Sequence, residues 1–85
     1  MKHREYIIDL YDIYQFLFTK KQQEYFENYY FEDLSLSEIA QNYNISKAGI
    51  GKCINEVESK LLEYEKNLNV YKKNKIIEEF NKKNR

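Results

Sequence analysis

The sequence predicts an all-α protein, and three observations predict it. Proline is absent and the only two glycines, Gly49 and Gly51, stand together, so helix breakers are almost missing. Glu, Lys, Gln and Leu, all good helix formers, recur along the chain. Apolar side chains return at spacings of three and four rather than two.

A first helix fits residues 3 to 17, with Ile7, Leu10, Tyr14 and Leu17 on one stripe and Asp9, Asp12 and Gln15 off it. Thr19 then reads as an N-cap, with Gln22 completing a capping box, so a second helix runs from about 20 to 32. Its aromatic cluster cannot all face one way. Phe26, Tyr29 and Tyr30 are expected to supply most of the core, as packing residues rather than as a platform for stacking bases.

Ser35 followed by Glu38 is a second capping box, opening a short helix of 36 to 42 that buries Leu36, Ile39, Ala40 and Tyr43. Asn44 suits a left-handed residue ending that helix, and Ser46 caps the next. Two helices joined by so short a turn, with the small Ala40 at their crossing, form a helix-turn-helix over residues 35–60.

The fourth helix carries Ile50, Ile54, Val57, Leu61, Tyr64, Leu68 and Tyr71 at alternating steps of four and three, a heptad seam that outruns the headpiece. Its far part, Leu61, Tyr64, Leu68 and Tyr71, is an interaction seam. It lies against helix 1 of the same chain, against a second copy in a homodimer, or against another protein. Residues 1–71 thus form one helical domain with an extended C-terminal helix, and residues 72–85 read as a frayed, basic extension.

The charges cancel, 14 basic against 14 acidic, so bulk attraction to nucleic acid or membrane is not expected. The cancellation is uneven. Residues 1–45 carry four Lys/Arg against eight Asp/Glu, whereas residues 46–85 carry ten against six, so any polyanion footprint lies in the C-terminal half. On the outward face of the fourth helix the residues suited to bases or phosphates are Lys47, Lys52 and Asn55, with Lys72, Lys73 and Lys75 behind them. Lys52, Glu56 and Lys60, each four apart, are expected to pair along the helix and blunt that charge. Gly49 and Gly51 loosen its first turns. Either bare backbone there lets a phosphate or another helix approach, or a position not used for base contact has become small; the second reading is preferred.

A single cysteine, Cys53, rules out an intrachain disulfide and a thiolate zinc site, and fits a reducing cytoplasm. The one histidine, His3, reads as a terminal residue, not a ligand. No apolar run is long enough for membrane insertion, and no catalytic constellation or cofactor motif is present.

Taken together, "FTKKQQEYFENYYFEDLSLSEIAQNYNIS", residues 18 to 46, and "ESKLLEYEKNL", residues 58 to 68, resemble the YlxM-like family of small bacterial proteins. The helix-turn-helix of that family is similar to region 4 of the sigma-70 factors. The resemblance implies an all-helical cytoplasmic protein that binds DNA or RNA in a regulatory role. It also implies an accessory place in the signal recognition particle pathway, proposed because the family's genes typically neighbour that of the particle's GTPase. This chain has Lys47, Ala48, Gly49, Ile50 and Gly51 where family members carry Arg-Gln-Ala-Val-Tyr, so it keeps the core position Ile50 and sheds polar and aromatic groups around it.

Overall fold

The computed structural model describes residues 2–83, all helices and short turns: α1 Lys2–Tyr14, a 3₁₀ turn Gln15–Leu17, α2 Lys20–Tyr30, α3 Leu36–Tyr43, α4 Lys47–Leu68 and α5 Val70–Lys83. The all-α helix-turn-helix architecture is the one expected. The central helix is α4, which packs against α1, α2 and α3, and α5 leans on α1 at one end of a body 53 × 23 × 19 Å.

Both capping boxes form. Thr19 Oγ1 accepts from the Gln22 amide while the Gln22 side chain accepts from the Thr19 amide, and Ser35 and Glu38 do the same. The Ser35 hydrogen bonds favour the charged form of Glu38 and hold its carboxyl below the usual range. Asn44 is left-handed (φ 56°, ψ 46°), its amide returns to Ala40 and Gln41, and Ser46 Oγ accepts from the Gly49 amide at 3.0 Å.

Several details of the core depart from the sequence reading. In α3, Ile39 and Ala40 are buried, whereas Leu36 and Tyr43, expected beside them, are half-buried. The α-helical part of α1 stops at Tyr14 and tightens into the 3₁₀ turn, whose shorter period carries Leu17 out to 54% exposure; extended Phe18 is buried in its place. Tyr11, off the expected stripe, is buried, because its ring stacks on Phe26 at 4.2 Å and its hydroxyl donates to Glu27 at 2.5 Å. In α2 the buried set is Tyr25, Phe26 and Tyr30, while Tyr29 is half-buried. Tyr30 donates to Glu58 of α4, and Arg4 of α1 lies over its ring and donates to its carbonyl at 2.7 Å. Burial first, then the bonded carboxylate, pushes the Tyr11 and Tyr30 hydroxyls well above their ordinary range.

The seam does not continue in one helix. Asn69 is left-handed (φ 55°, ψ 31°), ends α4 and lets the chain restart as α5, so the segment read as frayed is helical to Lys83. Of the seam residues, Leu61 is fully buried within the chain. Tyr64 sets its ring against Tyr14 and Phe18, and Tyr71 meets Tyr6 edge-on at 5.2 Å. Helix 1 of the same chain therefore covers most of the seam, and Leu68 is left 49% exposed.

The bend is held by Glu65, a buried carboxylate that sequence reading passed over. It accepts from the Tyr14 hydroxyl at 2.7 Å and from the first amides of α5, Tyr71 at 3.0 Å and Lys72 at 3.1 Å. The Val70 amide donates to the Tyr14 oxygen at 3.3 Å. One side chain near the end of α4 thus caps the next helix, where amides and helix dipole favour a negative charge. The sequence signal was available: an acidic residue four positions after Leu61, on the apolar side of the helix.

Candidate nucleic-acid interface

The outward face of α4 follows from its buried one. With Ile50, Ile54, Val57 and Leu61 fixed inward, the helical period turns Ala48, Lys52, Asn55 and Ser59 outward with Gly51 on their flank, and Lys47 is exposed in the first turn. There they line an open groove of about 880 Å³, together with Lys60 and Leu36 of α3. The structure therefore brings Lys47, Lys52 and Asn55 into one concavity, on the helix that a helix-turn-helix presents to a duplex. Two carboxylates, Glu56 and Glu63, also line it.

The expected pairing of Lys52 with Glu56 and of Glu56 with Lys60 is not made. Among the described residues the ion pairs within 4 Å are Arg4–Asp33, Lys21–Glu24 and Lys75–Glu78. Exposed side chains gain little from such pairs, and Lys placed before Glu is the weaker order on a helix. The groove lysines keep their charge for an incoming anion. Cys53 beside the groove is half-buried, and burial, then the charge of Glu56, pushes its thiol up.

The two glycines have different reasons. A β-carbon on Gly49 would meet Ile45 Cγ2 and Ser46 Oγ at 3.1 Å, so this glycine lets the capping turn close tightly. One on Gly51 would rest 3.7 Å from Leu36 Cδ1, an ordinary contact. Packing does not require glycine at 51, whose bare backbone widens the groove floor. Gly51→Ala is expected to raise stability by about 0.5–1 kcal/mol and Gly49→Ala to gain less or lose, read from paired thermal melts.

Lys72 and Lys75 lie elsewhere. They line a second groove of about 530 Å³ at the α4–α5 corner with Tyr6, Leu62, Lys66 and Ile76, while Lys73 borders neither groove. The bend at Asn69 is what parts them from the α4 face. Among the described residues no cluster of three metal-ligating side chains occurs, and no helix is long and apolar enough to cross a membrane.

Comparison with known proteins agrees with this geometry. Residues 1–84 match the UPF0122 family, described as "Putative helix-turn-helix protein, YlxM / p13 like". A UPF0122 protein of Ureaplasma parvum serovar 3 is 57% identical over 72 residues, covering 85% of this chain and 73% of the relative. One from a Geobacillus species is 47% identical over 64 residues, 75% of this chain and 58% of the relative. Another, from Mycoplasma capricolum, is 44% identical over 69 residues, 81% and 61% respectively. With that match over residues 1–84 and the helix-turn-helix in place, the chain belongs to the UPF0122 family of YlxM / p13-like helix-turn-helix proteins.

Proposed function

We propose that this protein is a non-catalytic nucleic-acid-binding regulator that holds DNA or RNA weakly along α4. The observation that carries the reading is the convergence of Lys47, Lys52 and Asn55 in one open groove, with no carboxylate of the described residues within 4 Å of either ammonium. Two lysines and an amide supply phosphate contacts and at most a base contact or two, so affinity falls with salt and sequence preference is slight. Lys72, Lys73 and Lys75 stand outside that groove and add only long-range attraction. Glu56 and Glu63 hold the affinity down.

The accessory role in the signal recognition particle pathway rests on the likeness to YlxM proteins, and is proposed on that ground with the particle's components as partners. The dimer built on the seam has less support than the nucleic-acid reading, since Leu61 and Tyr64 are engaged within the chain and only Leu68 offers an open seam side chain.

The test is fluorescence anisotropy on labelled duplex DNA and on a hairpin RNA across a salt series. The slope of log K against log salt is expected near −2, and Lys47→Ala or Lys52→Ala should each flatten it by about 0.7–0.9. A slope that neither substitution changes removes α4 from the interface.

A further inference from the structure

Helix α5 is amphipathic in the reverse of the usual sense. At about 100° per residue, Ile76 and Ile77 lie within about 60° of Phe80, while Tyr71 falls on the opposite side. It is the Tyr71 side that meets α1, through the Tyr6 ring. The apolar stripe is turned to solvent: Ile76 and Ile77 are 57% exposed and Phe80 65%. Leu62 of α4, also exposed, joins Ile76 in the corner groove beside Lys66 and Lys72.

Charge identifies what such a stripe fits. Val70–Lys83 contains five lysines against two glutamates. Lys73 lies within the stripe, and Lys72 flanks it, where long stems can lie along apolar surface with the ammonium at its edge. Of the two carboxylates, Glu78 points away and pairs with Lys75 at 3.9 Å, while Glu79, about a quarter-turn round on the Lys72 side, lines the corner groove. For a second copy laid on the stripe, three side chains fall far short of the roughly 800 Å² per partner of a stable interface. A planar anionic surface meets a convex ridge along its whole length. Asp9 and Asp12 of α1 border α5 on its Tyr71 side, opposite the stripe, so an anionic surface is met by the stripe and not by those carboxylates.

We infer that α5 is a peripheral anchor for anionic lipid surfaces, with Ile76, Ile77 and Phe80 entering the headgroup boundary and Lys72 and Lys73 meeting lipid phosphates. The binding is reversible and shallow, the mode of an interfacial amphipathic helix rather than of a spanning one.

The chain has no tryptophan, so Phe80→Trp supplies a single reporter. The full chain carrying it is mixed, free of nucleic acid, with vesicles rich in phosphatidylglycerol or made of phosphatidylcholine alone, and floated on a gradient. Flotation with the anionic vesicles only, a blue shift of the tryptophan emission, and a partition coefficient at least roughly tenfold lower in Ile76→Asp/Ile77→Asp are expected. Lys72→Glu should lower it by roughly fivefold or more, and circular dichroism should confirm that each variant stays helical. Three results overturn the inference: no flotation with anionic vesicles, flotation without a blue shift that the aspartates leave unchanged, or a blue shift that grows with protein concentration in the absence of lipid, which assigns the stripe to a second copy. Capture by an acidic protein with no binding to vesicles overturns it equally.

Discussion

Leu61→Lys is expected to unfold the molecule, with a loss of at least about 4 kcal/mol, whereas Leu68→Lys changes stability by no more than about 0.5–1 kcal/mol. The two leucines share a heptad register, yet Leu61 is fully buried in the core and Leu68 is half in water. An ammonium forced into the first site has no partner, and the lost packing alone costs about 2–5 kcal/mol. Urea unfolding of both variants, with sedimentation of the folded one, checks the pair. A folded Leu61→Lys variant would mean that α1 does not cover the seam. Only Leu68 is a clean probe of contact between copies.

A second large effect falls on Glu65→Ala. It removes the acceptor for the Tyr14 hydroxyl and for the Tyr71 and Lys72 amides in one step. Hydrogen bonds to a charged acceptor contribute about 1.5–3 kcal/mol, and a buried hydroxyl left without its partner adds to the loss. The expected total is about 2–4 kcal/mol, with the damage concentrated in α5. Hydrogen exchange should show amides 71–83 losing protection while those of α3 keep theirs. Glu65→Gln retains an acceptor but not the charge facing the helix dipole, and should fall between alanine and the parent. Uniform loss of protection through all five helices would contradict the assignment of Glu65 to the α4–α5 bend.

Helix starts were legible in the sequence because caps are local. Thr19 with Gln22, Ser35 with Glu38, and Ser46 before Gly49 need only four consecutive residues to declare themselves, and Asn44 needs only its own tolerance of positive φ. The end of α4 was not legible in that way. Leu68 and Tyr71 keep the seam's spacing across Asn69, so periodicity argues for one long helix, while the contacts that stabilise a bend come from Tyr14, 51 positions before Glu65. The choice of Phe18 over Leu17, and of Tyr25 over Tyr29, likewise depends on where the 3₁₀ turn shifts the register and on which neighbours meet each ring. For the candidate interface, the grouping of Lys52 and Asn55 follows from the helical period once Ile50 is placed inside, and Lys47 joins them from the first turn of α4. The position of Lys72 and Lys75 does not, because it is set by the bend.

The central place of α4 also orders the events of folding. As the chain is synthesised, α1 is made before α4, and Val57, Leu61 and Glu65, the residues that complete its apolar and polar contacts, come more than forty positions later. A nascent chain that stops short of Leu61 holds a capped α2 and α3 and an α1 stripe of Ile7, Leu10 and Tyr14 with nothing yet to close over it. Closing that loop comes before the core can reward it, and so this small helical protein is expected to fold more slowly than a helical hairpin of the same length. Until then the apolar stripe of α1 is left facing water.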